Sequence, residues 1–202
     1  MQHHQFGKML LSMALFSIIA ASCSHDHEID NNTASHFIQQ SESLTLPASI
    51  DVPANLPNGN QRVASFYAVG VQKYKAQQIA GSNPVAYQWV FVAPQADLYD
   101  ATNQKVGTHS AGPTWQLSAA DSIFGQQFTP AKFAPSPDAN SIDWLLLMPK
   151  TGKAPTGFFA QVSYIQRIAT NGGKAPAVTP VSPDQTVDVP YTAVYRFTRK
   201  NE

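Results

Sequence analysis

The chain has 202 residues, with 13 basic and 13 acidic side chains, a formal net charge of zero, and only 13% charged residues against 43% hydrophobic. So little lysine and arginine, balanced by acid, excludes nucleic acid as a partner, because nothing offsets phosphate charge. The single cysteine, Cys23, excludes an internal disulfide framework and a thiolate metal site.

In chain order, Lys8 flanks an apolar run over residues 9–20 that is too short to span a bilayer. It ends in Ala20-Ala21-Ser22-Cys23, small residues directly before the cysteine. The pattern predicts a lipoprotein signal peptide over residues 1–22 and a lipid on Cys23, hence a membrane partner through that lipid and a place in the bacterial cell envelope. Ser24 rather than aspartate points, by analogy with other bacterial lipoproteins, to the outer membrane. An ordinary secretory signal cleaved near Ala21 and a buried core helix are the competing readings. Residues 23–43 are polar and read as a disordered tether. His25, Asp26, His27, Glu28 and His36 would bind a metal there only at the cost of ordering the segment, which favours a solvated linker.

A single domain is expected over residues 44–199. Leu44, Leu46 and Pro47 fit an edge strand over 43–50, and Pro57-Asn58-Gly59 a turn. Residues 62–74 fit helix and strand spacing alike, and their aromatic and β-branched content tips them to strand. Residues 85–92 are apolar on both faces and read as a central strand ended by Pro94. A hairpin comes next over 97–106. His109 is then placed on a loop between Gly107 and Gly112, with Pro113 turning the chain toward Trp115.

Residues 142–148 form a buried run ended by Pro149. Residues 158–169 alternate as a strand that points Gln166 toward an apolar face and closes at Asn171-Gly172-Gly173. In the last strand Val187, Val189, Tyr191, Ala193, Tyr195 and Phe197 share the core face, while Asp188, Thr192, Arg196 and Thr198 face water. No repeat of 20 to 50 residues is present. Many short strands between turns predict an all-β domain, an antiparallel β-sandwich or small β-barrel.

The segments Trp89-Val90-Phe91-Val92-Ala93-Pro94, Gly107-Thr108-His109 with Gly112-Pro113-Thr114-Trp115, Trp144-Leu145-Leu146-Leu147, Tyr164-Ile165-Gln166-Arg167, Gly172-Gly173-Lys174-Ala175-Pro176 and Pro190-Tyr191-Thr192-Ala193 occur in an order that resembles the family catalogued as domain of unknown function 3455. The resemblance covers nearly the whole domain. It implies export and supports the domain boundary, but supplies no activity. It also implies a cysteine pair in many members whose places here are Ala76 and the neighbourhood of Thr179, so both halves are missing together.

Four residues stand out as ligand-binding candidates: His109, Trp115, Gln166 and Arg167. An arginine fork and an amide read carboxylates or sugar hydroxyls, and an indole offers a platform for a ring. The structural alternative has Trp115 filling the core, Gln166 satisfying a backbone group, Arg167 paired with an aspartate and His109 capping a turn. A triad of Ser110, His109 and Asp143 or Asp121 is disfavoured because adjacent side chains diverge on an extended backbone. No metal motif occurs and no cofactor is called for. Glutamate is absent between Glu42 and Glu202 and no two aspartates are singled out by context, which makes paired carboxylates for glycoside hydrolysis a weak alternative. The leading expectation is therefore a lipid-anchored envelope protein that binds a small molecule or glycan. A hydrolase with His109 as general base and a purely structural envelope component are the alternatives.

Overall fold

The computed structural model describes residues 33–202. The leader, Cys23, the acidic and histidine-rich stretch from His25 to Glu28 and the rest of the tether up to residue 32 lie outside the described residues. The described chain forms one α-helix and eight strands: α1 (Thr33–Glu42), β1 (Asn60–Gln78), β2 (Tyr87–Tyr99), β3 (Lys105–Ser110), β4 (Thr114–Gln116), β5 (Ser122–Ala134), β6 (Trp144–Pro149), β7 (Tyr164–Gly172) and β8 (Thr186–Lys200). Each strand pairs antiparallel with the next, and β8 returns to β1 over the register Asn60↔Lys200 to Lys75↔Thr186, so the sheet closes into an all-β barrel. Closure leaves the sheet with no unpaired edge.

Alternation along each strand divides the side chains between two layers. The inward layer runs round the whole barrel: Phe66 and Ala68 on β1, Ala96 and Leu98 on β2, Trp115 on β4, Ile123 on β5, Leu147 on β6, Ile165 on β7, and Ala193, Tyr195 and Phe197 on β8. The outward layer is buried on one side only. There Tyr67, Trp144, Leu146, Tyr164, Ile168 and Val194 are covered by Ala34, Ile38 and Ile50 from the N-terminal segment.

That cover corrects three expectations. The stretch read as tether is, from Thr33 onward, a helix, with its first free N–H group donating from Ala34 to Asn103 Oδ1 at 2.7 Å. Phe37 stacks on Tyr67 at 4.9 Å, and His36 lies edge-on to Phe37 at 5.5 Å. Residues 44–50 are not an edge strand: they run as an irregular strap over the barrel wall. On β8 only part of the polar face meets water. Arg196 and Thr198 are buried, Arg196 beneath the C-terminal end of α1. Arg196 donates to the Ser41 carbonyl at the C-terminus of α1, where a cation is favoured, and approaches Glu42 at 3.5 Å.

Other differences come from strand length. The strand expected to stop at Pro94 runs on to Tyr99, and a register shift at Lys73/Tyr74 falls next to the Gln72↔Pro94 pair. Its first half is not central, since Phe91 and Val92 are about half exposed, at 49% and 52%. The segment from Gly157 to Phe159 is a short 3-10 helix rather than the start of a strand, and β7 begins at Tyr164. The turn places the fully buried Phe159 against Phe197, which plugs the barrel at the end where β1 starts.

Candidate functional site

The end opposite that plug is open. The up-and-down order brings the β1–β2, β3–β4, β5–β6 and β7–β8 connections together there. A cavity of about 400 Å3 descends between them, lined by Gln72, Phe91, Val92, Pro94, His109, Gly112, Pro113, Trp115, Gln127, Leu145, Leu147, Arg167 and Tyr195. An outer recess shares Gln72, Phe91, Gln127, Leu145 and Arg167 and adds Tyr74, Ile142, Asp143 and Lys174. The size is ordinary for a small-molecule site.

His109 is not on the loop expected for it. It is the fifth residue of β3, paired with Trp115 across the β3–β4 hairpin and with Ala96 on β2. Alternation turns it inward and leaves Ser110 exposed on the other side. The imidazole stacks on the indole at 4.5 Å with 12° between the rings, and Tyr195 closes on it at 4.8 Å. Its Nδ1 lies 2.9 Å from the Thr114 carbonyl. A carbonyl can only accept, so Nδ1 carries the proton and Nε2 is left as an acceptor. Burial holds the pKa far below the ordinary 6.5, at about 3, and the Arg167 cation pushes the same way.

Trp115 corrects another expectation. It is fully buried, with His109 on its face and the rings of Tyr195 and Phe197 against its edges, so it is a wall rather than an open platform. Gly125 makes room for it, since a Cβ there would lie 2.9 Å from Trp115 Cζ3. The exposed aromatic at the mouth is Phe91.

Arg167 and Gln166 are separated by the pleat of β7. Arg167 points inward between Leu145 and Tyr195, its strand neighbours. Gln166 points outward, fully buried, and donates from Nε2 to the Ile50 carbonyl at 2.8 Å. Gln166 thus belongs to the strap and not to the cavity, which fulfils the structural alternative for that residue. Arg167 does not pair with an aspartate side chain. Its Nε and Nη2 both donate to the backbone carbonyl of Asp143, at 3.1 and 2.8 Å, and among the described residues no carboxylate forms an ion pair with it.

Several polar groups of the site were not singled out as candidates in the sequence. Gln72 is 2% exposed in the cavity wall, and its Nε2 has no hydrogen-bond partner. The indole N–H of Trp115 is also buried without a partner. The hydroxyls of Tyr191 and Tyr195 lie 3.5 Å apart, and burial raises both pKa values, so both phenols stay protonated. Tyr74 donates to the Gly173 carbonyl at 2.6 Å. A Cβ on Gly173, at φ +85, would meet Tyr191 at 2.9 Å and Gln72 at 3.1 Å, so glycine lets this backbone cross the mouth. The alternation of β1 already aims Gln72 with Phe66 and Ala68, and that was the available clue.

The mouth is held by its loops. Gly172 donates to Ser141 Oγ at 2.8 Å, Lys174 to the Ala139 carbonyl at 2.6 Å, and Trp89 Nε1 to the Val178 carbonyl at 2.8 Å. Near the places implied for a cysteine pair, the Ala76 N–H donates to the Gln185 carbonyl at 2.8 Å. The hydrolase constellation does not assemble: Ser110 faces outward, and Asp121 accepts from Ser118 and the Phe158 N–H. No group of three or more His, Cys, Asp or Glu among the described residues is placed to hold a metal ion. No helix among them is long and apolar enough to cross a membrane.

The family described as protein of unknown function (DUF3455) matches residues 57–199, and the chain belongs to it. The match begins after α1 and the strap, so it covers the barrel itself. No curated protein and no solved structure matches the chain.

Proposed function

We propose that this member of the DUF3455 family is a binding protein that takes a small molecule into the open end of its barrel. The observation that carries the reading is Arg167, a cation in the cavity wall with no carboxylate partner among the described residues. Arg167 is half-buried, and a cation on the cavity wall with no carboxylate beside it favours a ligand that brings an anionic or strongly accepting group. The apolar lining from Phe91, Leu145 and Leu147 with a few convergent polar groups is the usual make-up of a small-molecule site.

Binding is favoured over hydrolysis by the state of His109. A general base works best with a pKa near the working pH, and one of about 3 makes this imidazole a poor proton acceptor at neutrality. The proposal keeps the envelope address: a lipid on Cys23 would anchor the chain.

The test is a thermal-shift panel of glycans, carboxylates and neutral ring compounds on the full chain, compared with Leu145→Trp, which fills the cavity. A ligand that binds only the native state raises Tm by mass action, by about 2.7 kcal/mol of stability at a hundredfold excess over Kd. A shift seen in the native chain and lost in Leu145→Trp supports the reading. Shifts that survive in Leu145→Trp, or none across the panel, overturn it.

A further inference from the structure

The cavity wall has an excess of donors at one place and an acceptor at another, and this says what kind of molecule fits. Arg167 fixes two of its N–H groups on the Asp143 carbonyl, stands within hydrogen-bond reach of the Tyr195 hydroxyl, and lines both the cavity and the outer recess. The Tyr195 phenol beside it stays protonated, so it offers the guanidinium a hydroxyl dipole and no negative charge. Gln72, 2% exposed in the same wall, has a buried amide nitrogen that lies near the Tyr191 hydroxyl but makes no hydrogen bond of good geometry. Lys174 lines the outer recess, donates to the Ala139 carbonyl and interacts electrostatically with Asp138. Asp143 also lines that recess, yet it offers Arg167 its backbone oxygen and forms no ion pair. A buried amide donor beside an uncompensated guanidinium calls for an anionic acceptor, and a carboxylate matches the planar fork.

His109 sets the opposite demand. With Nδ1–H committed to Thr114, its Nε2 accepts, and no described residue donates to it. A ligand group facing it must bring a hydrogen. The rest of the wall, with Pro94, Leu145, Leu147 and the half-exposed Phe91, asks for an apolar body.

We infer that the ligand is an apolar-bodied hydroxy acid, its carboxylate held by Arg167 and Gln72 and its hydroxyl donated to His109 Nε2. The inference rests on the cavity being a binding site, and names the chemistry of what enters it. It differs from a glycan reading in requiring negative charge.

Three probes of one shape test it by calorimetry on the full chain: 4-hydroxycinnamate, cinnamate, which lacks the hydroxyl, and 4-hydroxycinnamyl alcohol, which lacks the charge. The hydroxy acid is expected to bind roughly tenfold or more tighter than the alcohol, as hydrogen bonds to charged groups imply. It should also bind about fivefold tighter than cinnamate, a margin set by one neutral hydrogen bond. Arg167→Met should remove the first difference and His109→Phe, which keeps a stacking ring, the second. The probe comparison needs only the native chain, so a variant that fails to fold does not block it. Equal affinities for acid and alcohol overturn the hydroxy-acid assignment while leaving the cavity a binding site. Silence of all three probes, in a chain whose panel ligands bind the cavity, also overturns the assignment alone. Silence of every compound in the panel overturns the binding reading beneath it.

Discussion

Acid should destabilise this fold through His109 before the carboxylates titrate. Burial lowers its pKa from 6.5 to about 3, so between those values the unfolded chain binds a proton that the folded one refuses. Because the unfolded state holds more protons, stability is full above the unfolded pKa and falls as pH drops toward the folded one. With 1.36 kcal/mol per pH unit, the loss is about 1.4 kcal/mol at about pH 5.5 and about 2.7 kcal/mol at about pH 4.5. Spread over a domain of this size, the larger figure lowers Tm by roughly 5–11 °C. Asp100, Asp121 and Asp138, whose hydrogen bonds lower their pKa values, add their own losses at more acid pH. His109→Gln isolates the imidazole, because it has no group titrating in this range and leaves the carboxylates as they are. The assay is urea unfolding of both chains at about pH 7.5, 5.5 and 4.5, read as the difference between them. The gap should narrow in favour of the variant by about 1.4 and then 2.7 kcal/mol. A gap independent of pH would refute a buried neutral imidazole and, with it, the acceptor assigned to Nε2.

Gln166→Leu strands the Ile50 carbonyl and should cost about 1–3 kcal/mol in denaturant unfolding, while leaving any cavity ligand's Kd unchanged. A changed Kd would return Gln166 to the site. A chain starting at Leu44 loses α1 and leaves the buried Arg196 without the Ser41 carbonyl and Glu42, so it should lose about 3–5 kcal/mol. Unfolding within about 1 kcal/mol of the full chain would show that the helix only decorates the wall. Gly125→Val pushes a side chain into the Trp115 indole and should cost about 1–3 kcal/mol, with a changed near-ultraviolet circular dichroism signal from the tryptophan. An unchanged spectrum at unchanged stability would mean that the indole has room to spare.

The strands of this protein were legible because a pleated backbone writes its two faces into the sequence at every second residue. Val187 to Phe197 could be assigned that way with no knowledge of what they touch, and they do form one continuous strand, β8. The helix was not legible, since Ala34, Ile38 and Ser41 carry too little apolar surface to mark a face until the barrel wall supplies the other half. For the same reason Arg196 read as a solvated side chain: its burial comes from residues more than a hundred positions earlier.

The candidate site divided along the same line. Sequence alone established an all-β domain and singled out His109, Trp115, Gln166 and Arg167, grouping Gln166 with Arg167 although strand alternation sets them on opposite faces. On a strand such as β7, with apolar residues on both faces, local alternation reports opposition between neighbours but not which neighbour faces in. That was decided by closure of β8 onto β1, which puts Arg167 beside Tyr195 and Gln166 beneath Ile50. The cavity exists only once the ring is closed, because every strand gives it a wall residue, from Gln72 on β1 to Tyr195 on β8. A carboxylate's absence from the Arg167 fork is likewise a fact of three-dimensional arrangement, since Asp143 is near in space yet presents its carbonyl instead.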